Sequence, residues 1–152
     1  MAETNRTVHD FVNGEAPDAS VWDGLSKGYQ DIVGADGDIS GIAGTSTTLC
    51  AGSYTALANR RFEIDFSADV VGTNAGDLAQ VRILIDGSVT LPDLTAYGTV
   101  RTDDPVTIGR SWIINLATGL HTIALQLARK DGSGTLTGKA SSHFTVKDEG
   151  PF

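Results

Sequence analysis

Three histidines, a single cysteine and a few grouped carboxylates are the residues in this chain whose types could do chemistry. His9, His121 and His143 lie far apart, without the short intervals typical of metal sites. His143 follows Ser142, and a Ser-His-Asp triad can be drawn through Ser142 or Ser111. Neither serine sits in the Gly-x-Ser-x-Gly elbow that exposes such a nucleophile. Cys50 has no partner for an intramolecular disulfide. It stands in the strand-like run Thr47-Thr-Leu-Cys-Ala51, where a free cysteine packs as a small buried hydrophobe. Asp31, Asp36 and Asp38 resemble half of a calcium loop, but Asp36-Gly-Asp-Ile-Ser-Gly41 lacks the closing glutamate. An acidic turn is expected there. Glu63, Asp65 and Asp69 share one face of a strand, and two of them can be drawn as glycosidase carboxylates. Carboxylates on an exposed strand face stay solvated and keep the sheet from aggregating. Gly72, Gly76 and Gly87 do not form a phosphate-cradling loop that opens a helix. The sequence therefore assigns no catalytic residue, metal ligand or cofactor, and a structural or binding role is expected.

The strongest element signal is Arg61-Phe-Glu-Ile-Asp-Phe-Ser-Ala-Asp-Val-Val71. Phe62, Ile64, Phe66, Ala68 and Val70 fall on one parity, and Arg61, Glu63, Asp65, Ser67 and Asp69 on the other. Strand side chains alternate between faces, so this is a ribbon with one buried and one wet side. Further strands are expected over 45–51, 53–57, 79–86, 94–100, 106–116, 121–129, 135–140 and 143–147. Asp86-Gly87 and Asp131-Gly132 are turn dipeptides, and Gly72 to Asp77 is a longer loop. Asp148-Glu-Gly-Pro-Phe152 reads as a terminal strap rather than a strand. Many short strands with almost no helix predict an all-β antiparallel sandwich, an eight-stranded jelly roll by count. Its core should bring the buried parity of 61–71 against Val81, Ile83, Ile85, Ile123, Leu125 and Leu127.

Residues 1–36 lack this alternation and read as an arm, with the β-sandwich over 37–152. After Pro17, Asp18 can cap a short helix, because Val21, Trp22, Leu25 and Tyr29 follow near-helical spacing. Gly24 and Gly28 limit it to one or two turns. A net charge of −8 repels phosphate backbones and anionic lipids, so neither nucleic acid nor membrane is expected as a partner. No apolar run approaches the roughly 20 residues of a membrane helix. Met1 to Thr7 lacks the apolar core of a signal peptide, so secretion by that route is not expected.

Two ends of the chain carry a resemblance. Phe11-Val-Asn-Gly-Glu-Ala-Pro-Asp-Ala-Ser-Val-Trp-Asp23 resembles a segment of tailed-bacteriophage fibre and decoration proteins. There a phenylalanine, Gly-Glu, small residues and Trp-Asn precede a β domain. Gly14, Glu15 and Trp22 match, and Asp23 stands in place of the Asn. His143-Phe-Thr-Val-Lys-Asp-Glu-Gly-Pro151 is similar to the Val-x-Asp-x-Gly-Pro ending of phage jelly-roll domains. Arg60-Arg61-Phe62 and Gly119-Leu-His-Thr122, each opening a strand, fit the same pattern. The resemblance implies a non-enzymatic virion protein, commonly a homotrimer, that contacts the major capsid protein or other virion proteins. One β domain behind a docking segment suits a head decoration protein or short head fibre; a minor tail protein or tail fibre is the alternative. The expected attachment residues are Phe11, Gly14, Glu15, Val21, Trp22, Leu25 and Tyr29. A host-surface glycan is a further candidate partner. A carbohydrate-binding sandwich is a third reading, weakened because Trp112 falls in the apolar run Trp112-Ile-Ile114 rather than standing alone.

Overall fold

The computed structural model describes residues 28–56, 60–89 and 93–151. Its eleven strands are β1 (Gly28–Gly34), β2 (Ile39–Ile42), β3 (Thr47–Ala56), β4 (Arg60–Gly72), β5 (Leu78–Ile85), β6 (Ser88–Val89), β7 (Thr95–Thr99), β8 (Val106–Leu116), β9 (Gly119–Asp131), β10 (Leu136–Gly138) and β11 (His143–Pro151). The first sheet holds six strands and the second five. In the first, β4 lies between β8 on one side and β11, then β10, on the other. β1 and β2 flank β11 and β10 in turn, as two segments of one interrupted edge. In the second, the order is β3-β9-β5, with β6 and β7 sharing the far side of β5. Every pairing is antiparallel.

The pairings nest from the chain ends inward: β1 and β2 with β11 and β10, β3 with β9, β4 with β8, and β5 with β7. One long hairpin has rolled up, and its two halves have closed into a sandwich. This is the expected all-β jelly roll. Between the sheets lie Phe62, Ile64, Phe66, Ala68 and Val70 of β4, Val81, Ile83 and Ile85 of β5, and Ile123, Leu125 and Leu127 of β9, all buried. Phe144 and Val146 of β11 complete that layer. Burying side chains as large as Phe62, Ile64 and Phe66 stabilises the fold by roughly 1.5–3 kcal/mol each.

Several boundaries differ from expectation, each for a local reason. β1 occupies residues 28–34, within the stretch expected as arm. Tyr29 pairs with Lys147 and Asp31 with Val146, so Gln30 is an extra residue that interrupts the alternation. Tyr29 is thus in a strand, not at the end of a helix; the rest of the expected helix lies outside the described residues. The tail is not a strap: β11 runs on through Pro151 and pairs with β4 up to Arg60. Glu149 is the extra residue there, and Gly150 takes φ +107. The two strands expected over 45–57 are one, β3. A bulge between Thr48 and Cys50 buries both Leu49 and Cys50 and shifts the parity midway. Asp86 and Gly87, at φ 52 and 74, make the two-residue left-handed turn that joins β5 to β6.

One end of the sandwich is locked by a carboxylate. Asp77 is buried, and accepts hydrogen bonds from Gly134 N at 2.7 Å and Ser133 N at 3.3 Å. Thr73 Oγ1 accepts from Thr135 N at 2.9 Å beside it. The β4–β5 and β9–β10 loops are thereby tied together. Gly132 lies so close to Asp77 that a Cβ would collide with the carboxylate.

Candidate functional site

β4 starts, β8 finishes and both ends of the described chain meet at the other end of the sandwich: Gly28 opposes Asp148, and Pro151 opposes Arg60. Arg60 and Asp148 sit on the inward parity of their strands, next to Phe62 and Val146. Arg60 Nε donates to Asp148 Oδ2 at 2.6 Å, with the two side chains 1% and 0% exposed. Gly150 N donates to Asp148 Oδ1 at 2.8 Å. Two charges removed from water need this degree of mutual satisfaction. Tyr54 packs edge-on against Phe62, ring centroids 5.0 Å apart. Burial, and then the Asp148 carboxylate, push its phenol above the ordinary range.

A second feature lies along the side wall formed by the edge strands β7 and β8. Ile108, Ile114 and Leu116 of β8 point inward and are buried, but Arg110 and Trp112 share their parity and are exposed. β7, in the other sheet, has five residues against the eleven of β8. Arg110 reaches across to the β7 side: its Nη1 donates to the carbonyls of Thr95, at 3.2 Å, and Asp93, at 3.5 Å. The guanidinium lies over the Trp112 ring, 4.4 Å from its centroid. Trp112 is 36% exposed, Ile113 on the opposite face 50%, and Tyr97 of β7 53%. The outer face of the second sheet is more fully bonded. Arg82 there donates to Ser46 and Gln126, Gln126 donates to Thr48, and Gln80 donates to Tyr97 Oη.

The groups singled out for chemistry are placed as follows. Cys50 is buried, and desolvation followed by the nearby Asp36 charge pushes its thiol up to about 11. It is a protonated core residue whose Sγ donates to Val33 O. Ser142 Oγ accepts from Asp69 N, while His143 Nδ1 donates to Ser141 O, so the two do not form a relay. Ser111 Oγ donates to Glu63 Oε1. Asp69 accepts from Ser141 Oγ and Thr107 Oγ1, and those bonds lower its pKa. That is opposite to what a general acid requires. Asp38 is held by the Lys139 ammonium at 2.5 Å and by Ala140 N at 2.9 Å, an acidic turn clasped to the β10–β11 turn. Both bonds lower its pKa, the Lys139 contact most. Among the described residues, no three His, Cys, Asp or Glu side chains are grouped to hold a metal ion. Among them, too, no helix is long and apolar enough to cross a membrane.

His121 is held at both ring nitrogens. Its Nε2 faces Ala117 O at 2.9 Å, and its Nδ1 faces Asp86 Oδ2 at 2.8 Å. Two acceptors require both ring nitrogens to donate, so the imidazolium is favoured. Its pKa is raised, by the Ala117 carbonyl first and Asp86 second.

Of the expected attachment residues, Phe11, Gly14, Glu15, Val21, Trp22 and Leu25 lie outside the described residues. Tyr29 is in β1 beside β11. The features that sequence reasoning missed are Arg60, Asp148 and Arg110. Each is a charge on the core parity of an alternating strand, and that mismatch was the available signal.

The strand order, nested pairings and buried inner faces define an antiparallel jelly-roll β-sandwich. No family model and no curated protein matches the sequence. Among solved structures the chain is similar to Eiger TNF from S. frugiperda, with TM-score 0.56 and 7% identity over 84% of this chain and 94% of that one. It is similar to murine APRIL, with TM-score 0.52 and 9% identity over 81% of this chain and 99% of that one. It is also similar to infectious bursal disease virus Gt strain, with TM-score 0.50 and 13% identity over 98% of this chain. The match spans 47% of that viral chain. Identities this low show a shared fold, and one fold hosts many functions.

Proposed function

We propose that this protein is a non-enzymatic structural protein of a bacteriophage virion, a head decoration protein or short head fibre. Its N-terminal arm docks on the capsid, and its sandwich is displayed outward as a homotrimer. The observation that supports this reading is the polarity of the sandwich. Gly28, where β1 begins, and the end of β11 lie at one pole. The β2–β3, β4–β5, β7–β8 and β9–β10 loops lie at the other, and the tight β5–β6 and β8–β9 turns share the pole of Gly28. An arm that precedes Gly28 therefore leaves from the pole opposite those loops, and attachment need not cover them. The phage resemblance of residues 11–23 and 143–151 supplies the virion context, and a viral structure among the fold neighbours is compatible with it.

Because β1 belongs to the sheet, the arm in this reading is residues 1–27, and Tyr29 marks its root. Trp22 is its anchor, since large aromatics dominate interfaces when they fill a pocket. The test is co-sedimentation with purified phage heads and, separately, tails. The full chain should bind heads; removal of residues 1–27 should abolish binding while the sandwich keeps its melting temperature. Trp22→Ala should weaken binding without destabilising the domain. Light scattering should report three chains. Binding to tails alone would favour the minor tail protein, and normal head binding by the truncated chain would refute the arm.

A further inference from the structure

The Arg110–Trp112 wall has a property the virion reading does not use. The chain carries 19 acidic side chains against 11 lysines and arginines, so an arginine would be expected to have a carboxylate beside it. Among the described residues no carboxylate pairs with Arg110. β8 itself, Val106 to Leu116, contains neither Asp nor Glu. Two neutral backbone carbonyls, of Thr95 and Asp93, orient the guanidinium through Nη1 alone. Nε and Nη2 have no hydrogen-bond partner among the described residues. Those two nitrogens form the edge of a guanidinium that receives a carboxylate through two parallel hydrogen bonds. The flat face is already braced by Trp112 at 4.4 Å, so the cation is held in one plane before any ligand arrives. Trp112 remains partly exposed beside it.

We propose that this wall binds an acidic saccharide, with the carboxylate of a uronic-acid-type sugar on Arg110 and the apolar side of its ring against Trp112. A pyranose acid joins an anionic group to a compact C–H surface. The wall offers one anchored cation and one exposed aromatic within two residues on a strand. Ser111 and Ile113 point to the other face of β8, so the footprint on this wall is that of a single ring rather than of an extended peptide. The run that Trp112 shares with Ile113 and Ile114 argues against a sugar site in the sequence; the 36% exposure of Trp112 removes that objection. The inference stands on this wall alone and does not depend on the virion reading.

The test is calorimetric titration of the full chain with an oligouronate, the neutral oligosaccharide of the same linkage, sodium acetate and a glutamate-rich peptide. The oligouronate should bind more tightly than the neutral sugar by about tenfold, the worth of one charge-assisted hydrogen-bonded contact. Raised salt should erode that margin. Arg110→Gln should abolish the preference for the acid, Arg110→Lys should restore only part of it, and Trp112→Ala should weaken the acidic and the neutral sugar alike. On the unaltered protein, NMR should show the Arg110 Nε–H and Trp112 indole signals moving on addition of oligouronate, a readout independent of how the variants fold. The proposal is overturned if the oligouronate does not bind, if the peptide or acetate binds as tightly, or if Arg110→Gln keeps the acid preference.

Discussion

Asp148→Asn is the sharpest perturbation of this fold. It keeps the size of the side chain and an oxygen to accept from Gly150 N. It removes the negative charge that faces Arg60 Nε at 2.6 Å, in a place where the two side chains are 1% and 0% exposed. Truncating one side of a buried ion pair costs about 3–5 kcal/mol. The unfolding entropy of a 152-residue chain is about 0.3 kcal/mol per kelvin, from roughly 2 cal/mol/K per residue. The melting temperature should therefore fall by about 10–16 °C in scanning calorimetry. Adding Arg60→Met to Asp148→Asn should recover part of the loss, because it removes the buried cation and keeps an oxygen for Gly150 N. If Asp148→Asn melts within about 2 °C of the parent, the cost assigned to losing the buried pair is wrong.

Ile64→Asp puts a carboxylate at a fully buried position of β4; it should lose several kcal/mol in urea denaturation, and a parent-like midpoint would refute the core assignment. His121 has a folded pKa raised above 6.5, so its contribution is full below that value and is lost as pH rises through the raised one. Asp86 is lowered from 3.8, so its contribution is present above that value and is lost as pH falls through the lowered one. The His121–Asp86 contact should thus stabilise most between about pH 4 and 6.5, and His121→Gln should flatten the melting-temperature profile above that window. Cutting at residue 36 rather than 27 removes β1 and strips the outer partner of β11, so the longer deletion should melt lower than the shorter, and equal melting temperatures would argue against β1 as an integral strand.

β4 was legible in the sequence because its alternation is unbroken over the whole strand and its inward residues are all apolar between Phe62 and Val70. β1 and the end of β11 were not, since Gln30 and Glu149 each insert one residue and reverse the parity. A bulge is a feature of the pairing between two strands, and one strand read alone cannot show it. The contacts that hold the polar groups were not legible for a related reason: Asp69, Ser142 and Asp38 face one another or their neighbours across strand and turn boundaries. Trp112 was misread because composition cannot say which strand will form an edge. That depends on which strands pair: β8 pairs with β4 alone, and β7 belongs to the other sheet.

The nested pairing has a consequence for how the chain is made. β11 is the last of the described strands to be synthesised, yet it lies inside the first sheet, with β1 on one side and β4 on the other. β1 waits for its partner until residues 143–151 have been made. Until then β1 has no sheet to join, and the edge of β4 that β11 will cover is open. Contacts of such long sequence separation form late and leave strand edges exposed meanwhile. A ribosome stalled just short of residue 143 should therefore hold a chain that is still protease-sensitive, with resistance appearing only once the C-terminal strand has emerged. A premature stop just before residue 143 would not trim a loose end from this domain. It would remove an interior strand of its sheet.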